Sequence, residues 1–267
     1  MRDSIPNAVR AALLVLLLAV PAAAQRNEAP RSAATDNTRA VRMAKAAYDD
    51  AAKAYQAKDY KRAEKELALC LERVPTYSEA HLLWAKLHYA RKEFAEALSR
   101  MELAESTWDE SVERLKRQQS ERWEEIQRRR RAIDEKIRED KTTLAGNLSR
   151  EARSLVQGAV DQGYEQLREI DRLLAEPQPL PEAMPAEYPF FHGNILLRLQ
   201  RRDDAAAKYH EALRIKPDYP EAVNNLAALY LGANLPREAL EVLEAAEAVG
   251  VTVNPELRQA VLAAIGS

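Results

Sequence analysis

From Val41 onward, apolar residues recur every three or four positions, and short polar breaks interrupt the pattern at intervals. This is the period of amphipathic helices packed on one face. The clearest stretch is Ala205 to Asn234. Ala205, Tyr209 and Ala212 share one face, Lys216-Pro217-Asp218 breaks the helix, and Leu226, Ala227 and Tyr230 line a second one. Tyr60 and Phe94 stand 34 residues apart, as do Ala63 and Ala97, and Ala205 and Ala239. A period of that length in helical sequence predicts an all-α fold of stacked helix-turn-helix units.

Four units align on this period. Small residues fall at positions 8, 20 and 27: Ala51, Ala63 and Cys70; Ala85, Ala97 and Ala104; Gly193, Ala205 and Ala212; Ala227, Ala239 and Ala246. Large residues fall at position 24, as Leu67, Met101, Tyr209 and Leu243, and Pro75 and Pro217 close two of the units. This pattern resembles the tetratricopeptide repeat family. The resemblance implies a helical solenoid of four pairs, in blocks 41–107 and 186–253. In 254–267, Asn254 is a suitable N-cap and Pro255 a first helical residue, which predicts a closing helix.

Between the blocks, residues 108–175 depart from the repeat. Charges of both signs are dense and lie three or four apart, the mark of a solvated helix. Ile126, Ile133, Ile137, Leu144, Leu148 and Leu155 form a narrow seam that wants a partner helix. One continuous rod fits the seam, which crosses the weak stretch Thr142–Asn147 in phase. A hairpin arm fits burial better, because it lets the two blocks stack as one series. The segment 176–185 is Pro-rich and reads as a linker.

The N-terminus adds a location. Arg2 and Arg10 precede an apolar run from Ala11 to Val20, followed by Pro21 and Ala22-Ala23-Ala24. This predicts a signal peptide over 1–24, cleaved before Gln25. The run is too short to span a bilayer as an anchor, so no membrane span is expected after cleavage. Residues 25–40 are polar and read as a disordered leader. A periplasmic or secreted location follows. With 46% hydrophobic and 31% charged residues, only 7 glycines and net charge −2, nothing suggests a nucleic-acid partner. Cys70 is the lone cysteine, so no intrachain disulfide forms.

Chemistry is sparse. No nucleophile elbow, phosphate loop or metal-spaced cluster is present, so neither enzyme activity nor cofactor is expected. His81 and His88 lie seven apart on one helix, at packing positions. The better candidates follow from the resemblance, which places helix-A positions 2, 5, 9, 12 and 13 inside the superhelix. There lie Tyr48, Tyr55, Leu82, Lys86, Tyr89, Phe190, Asn194, Leu197, Arg198 and Asn224. Aromatics beside amides and charges suit docking of a peptide or helix. Some members of the family carry a carboxylate clamp for C-terminal peptides. Asn194 and Asn225 match it, but Phe190, Pro255 and Gln259 replace its cationic residues. The chain is therefore expected to be a non-enzymatic exported scaffold for a protein partner. The alternative is a structural oligomer self-associating through 112–174, with the repeats as spacers.

Overall fold

A computed structural model describes residues 31–176 and 183–266. The expected signal peptide, 1–24, lies outside the described residues. Ten helices and no strand are found among the described residues. They are α1 (Arg31–Gln56), α2 (Tyr60–Arg73), α3 (Ser78–Ala90), α4 (Phe94–Leu144) and α5 (Arg150–Ala175). Then come α6 (Glu187–Arg198), α7 (Arg202–Ile215), α8 (Pro220–Gly232), α9 (Pro236–Ala248) and α10 (Pro255–Ile265). The leader expected through residue 40 is helical from Arg31; no Gly or Pro interrupts the sequence there, so the first repeat helix extends backward.

The chain divides into two compact units, one holding the repeats and the other residues 112–176 of the described chain. In the repeat unit, every small residue at positions 8, 20 and 27 is buried. Leu67, Met101, Tyr209 and Leu243 at position 24 are fully buried as well. The small residues let two helices of a pair approach closely, and the large residue fills the space that remains.

Each pair turns in the same way. Lys58, Lys92, Gln200 and Asn234 occupy position 15 of the four units, and all have positive φ, between 59° and 65°. Each first helix ends with the same two bonds. The amide of Lys58 donates to Tyr55 O and that of Asp59 to Ala54 O, and this pattern repeats at Lys92–Glu93, Gln200–Arg201 and Asn234–Leu235. This is the left-handed helix stop that satisfies terminal carbonyls. Val74 and Lys216, before Pro75 and Pro217, adopt nearly the same extended angles (φ −135°, ψ 86° and φ −133°, ψ 89°), because the proline ring excludes the helical conformation from the residue before it. At the closing helix, Asn254 Oδ1 accepts from the amides of Glu256 (2.9 Å) and Leu257 (3.2 Å).

The two repeat blocks stack on one another within this unit. Tyr188 is almost fully buried, its ring lies 5.7 Å from that of Trp108, and its hydroxyl donates to Ser78 Oγ at 3.2 Å. Trp108, expected as the first residue of the arm, is 6% exposed and belongs with the repeats.

In the second unit, α4 ends at Leu144 and α5 starts at Arg150, making a helical hairpin. Ile137, Val160 and Leu167 form its core, with Ile133 and Leu144 against them. Arg130 Nε bonds Asp171 Oδ1 at 2.7 Å, and Lys141 Nζ sits 5.2 Å from the Tyr164 ring centroid, so the helices run antiparallel. Arg153 donates to the carbonyls of Leu144 (3.0 Å) and Gly146 (3.3 Å), closing the break. The seam drawn from sequence through Leu155 is corrected: Leu155 is 77% exposed, and Val160 is buried in the hairpin core instead. The break between Leu144 and Arg150 resets the helical phase, so a seam extrapolated across it lands on the wrong face.

Gly193 tests the packing rule. A Cβ there would lie 2.7 Å from Tyr209 Cε1 and 3.2 Å from Ala205 O. Overpacking of this kind costs about 3 kcal/mol, and the better helix propensity of Ala returns about 1 kcal/mol. Gly193→Ala is therefore expected to lower the thermal midpoint by about 5 °C. An unchanged or raised midpoint in calorimetry would show that the pair is not packed this closely.

Candidate functional site

The candidate residues come from the first helices of the four pairs, α1, α3, α6 and α8. On α1, the Tyr48 ring lies 5.4 Å from Tyr77, and Tyr55 lies 5.8 Å from Tyr60. Burial pushes the Tyr48 hydroxyl well above its ordinary range, with Glu79 adding to the effect. Tyr48 and Tyr55 are half-buried, with part of each side chain open to solvent.

Helices α3 and α6 bring the middle of the row together. Tyr89 packs edge-on against Phe94 (5.4 Å) and Phe191 (5.3 Å). The Arg198 guanidinium lies 6.0 Å from the Tyr89 ring and 5.7 Å from the Phe94 ring. That spacing allows cation–π attraction while leaving Arg198 exposed. Lys86 forms an ion pair with Glu187 and lies 5.8 Å from the Phe191 ring. Leu82 is different: only 5% of it is exposed. It was expected to face a partner, but it is part of the packed interior, since position 5 turns inward in this pair.

Phe190 sits 4.8 Å from Tyr219 and 6.1 Å from Tyr209. Asn194 Oδ1 accepts from both the Tyr209 hydroxyl and Asn225 Nδ2, each at 2.8 Å. The two amides that match the clamp pattern therefore meet, with an aromatic where the clamp would put its first cation. Leu197 is half-buried against the cluster of Leu196, Ala205, Tyr209 and Leu226. Asn224 Oδ1 accepts from the Asn254 amide at 3.4 Å. The row thus joins Lys86, Tyr89, Phe190, Asn194, Leu197 and Arg198 across two pairs, while Tyr48, Tyr55 and Asn224 have their own neighbours.

Beside the row lies a charged cluster that sequence reading missed. Glu105 Oε1 is 2.9 Å from His192 Nδ1, and Lys208 Nζ is 3.0 Å from both Glu105 oxygens. Lys208 also reaches Glu211 at 3.1 Å. Glu105 belongs to the second pair, His192 and Lys208 to the third. Burial pushes the Glu105 carboxyl up, but the bonds and charges of His192 and Lys208 outweigh it and hold the carboxyl below its usual value. The partners lie 87 and 103 residues away along the chain, so no local spacing betrays them.

The other histidines are held apart. His81 Nε2 is 2.9 Å from Pro75 O, and His88 Nδ1 is 2.6 Å from Glu93 Oε2. Among the described residues, no group of three or more His, Cys, Asp or Glu is placed to hold a metal ion. Burial pushes the Cys70 thiol up to about 12, so it stays protonated. No helix of the described residues is long and apolar enough to cross a membrane.

Four stacked helix pairs and a closing helix define a TPR-like helical solenoid, and residues 193–233 match the family model of the TPR repeat. Among solved structures the fold is similar to PilW, described as a widely conserved type IV pilus biogenesis factor. The identity is 16% over 84% of this chain and 86% of that one, with a TM-score of 0.38. It is also similar to PilF of Pseudomonas aeruginosa (14% identity, 85% of this chain, 90% of that one, TM-score 0.34). A third is YrrB, described as a TPR protein with an unusual peptide-binding site (14%, 86% and 98%, TM-score 0.28). No relative was found among curated proteins.

The charged cluster makes a pH-dependent prediction. Glu105→Gln is expected to cost about 2 kcal/mol at pH 7, the scale of a hydrogen bond to a charged group. A carboxyl held below its usual value of 4.5 stabilises the fold above that pH and loses the contribution as pH falls through its folded value. The gap between parent and variant in urea midpoints should therefore be narrower at pH 3 than at pH 7. A gap that stays constant with pH would contradict the ion pairing.

Proposed function

We propose that this chain is a non-enzymatic scaffold that holds an extended peptide or a helix of a protein partner against its first-helix row. The observation that carries the reading is the middle of that row. Exposed Arg198 stands over the half-buried rings of Tyr89 and Phe94, next to the Asn194–Asn225 amide pair. Rings held in place by their neighbours offer apolar contact at little entropic cost, and side-chain amides can bond a peptide backbone. The buried Leu82 and the paired Lys86 drop out as direct contacts, leaving Tyr48, Tyr55, Tyr89, Phe190, Asn194, Leu197, Arg198 and Asn224.

The place of action we infer is the bacterial cell envelope. That inference rests on the charged, apolar and Ala-rich succession of residues 1–24, which reads as an export signal. Carboxylate-clamp recognition is not part of the proposal, because Phe190 stands where that clamp needs a cation.

A photo-crosslinking residue placed at Arg198 in the full chain, expressed in its native host, should capture a protein. The same residue at Leu103, 42% exposed on a second helix, should not. Arg198→Glu should weaken binding of the captured protein at least about tenfold, the loss of one charged and stacked contact. Equal capture from both positions, or binding unaffected by Arg198→Glu, would overturn the reading.

A further inference from the structure

The repeats contain their own template for holding a cation. Lys86, ninth in the second unit, pairs with Glu187, second in the third. Its ammonium also lies 5.8 Å from the Phe191 ring centroid. One unit earlier the carboxylate is kept and the cation is not. Glu79 is second in its unit, while the ninth residue of the unit before it is Ala52. Glu79 and Glu187 both stand in the first turn of a helix, where the helix dipole favours a carboxylate. Glu187 still takes a lysine, so the dipole does not replace a counter-ion.

Neutral groups hold Glu79 from behind. Ser78 Oγ donates to Glu79 Oε2 at 3.1 Å and accepts from the buried Tyr188 hydroxyl at 3.2 Å. Among the described residues, no Lys, Arg or His pairs with Glu79. Its acidic neighbours are already paired, Asp49 with Lys45 at 2.9 Å and Glu187 with Lys86. Tyr48 and Tyr77 stand beside it, their rings 5.4 Å apart and each half-buried. Burial pushes the hydroxyls of Tyr48, Tyr77 and Tyr188 up, and the charge of Glu79 comes next in each. One half-buried carboxylate thus acts on three tyrosines.

We infer that Glu79, Tyr48 and Tyr77 form a subsite for a basic side chain, lysine or arginine, of the partner segment. This rests on the reading of the first-helix row as a partner-binding surface, and it names the chemistry of one end of that row. The carboxylate supplies charge and the tyrosine rings add cation–π attraction, the combination that Lys86 finds at Glu187 and Phe191. A half-buried anion has lost part of its hydration, and an incoming cation restores what water no longer gives. Ala52 is too short to compete for the place. A neutral or acidic side chain gains nothing from Glu79, so the subsite discriminates by charge.

The test uses N-acetyl-lysine amide as probe, titrated into the full chain carrying ring-labelled tyrosine and followed by NMR. The Tyr48 and Tyr77 ring resonances should shift saturably, with a dissociation constant in the millimolar range. The uncharged N-acetyl-norleucine amide should shift neither. Glu79→Gln keeps an acceptor for Ser78 and should weaken the lysine probe at least about tenfold. Tyr48→Phe keeps the ring and should bind as the parent does. Ala52→Lys should block the probe, because it supplies the cation from within, as Lys86 does one unit later. If the probe behaves in this way but Arg198 captures no protein, the reading of the row fails while the cation subsite stands. No saturable shift with the lysine probe, equal shifts with norleucine, binding unaffected by Glu79→Gln, or a probe that binds Ala52→Lys as tightly as the parent would overturn the inference.

Discussion

Everything in the repeat unit depends on a helix pair finding a second pair to cover its apolar face. The chain separates its second pair from its third by the whole of the arm, yet Tyr188 closes the gap. Its ring is buried against Trp108 and its hydroxyl bonds Ser78, 110 residues earlier. The cluster of Glu105, His192 and Lys208 adds charge-assisted bonds across the same junction. Tyr89 and Phe191 meet edge-on across it too, 5.3 Å apart. An insertion of this length is tolerated because a loop's entropic cost grows only slowly with its length, and because the insertion folds on itself as a hairpin.

The same junction creates the candidate site. Tyr89 and Lys86 come from one side of the insertion, and Phe190, Asn194 and Arg198 from the other. The row exists only when the blocks stack, so the binding proposed for it depends on repeat packing. Burial divides the row further. Leu82 is spent on the interior, Lys86 is satisfied by Glu187, and Arg198 remains on the surface above two rings. The arm follows a different logic, with a thin apolar core and dense charges on its outer faces.

Much of the fold was legible in the sequence, for a physical reason. Close helix approach admits only small residues, so Ala and Gly at positions 8, 20 and 27 write the period directly into the chain, and Pro75 and Pro217 mark where pairs end. The left-handed turn residues were not legible, because Lys58, Lys92 and Gln200 carry no glycine signature. The hairpin seam was misplaced at Leu155, since a period cannot be carried through a break. The first-helix row could be named from the resemblance, but not its burial: whether Leu82 faces inward depends on neighbours that spacing does not reveal. The Glu105 cluster joins residues whose partners are fixed only by stacking, and no local pattern points to it.

The central claim is that the separated blocks form one cooperative body, with the arm as an insertion. Differential scanning calorimetry of a chain in which residues 112–181 are replaced by a short flexible linker tests it most directly. The account predicts a single transition whose calorimetric and van't Hoff enthalpies agree, since both blocks share one core. Two resolved transitions, or a folded first block beside an unfolded second one, would contradict it.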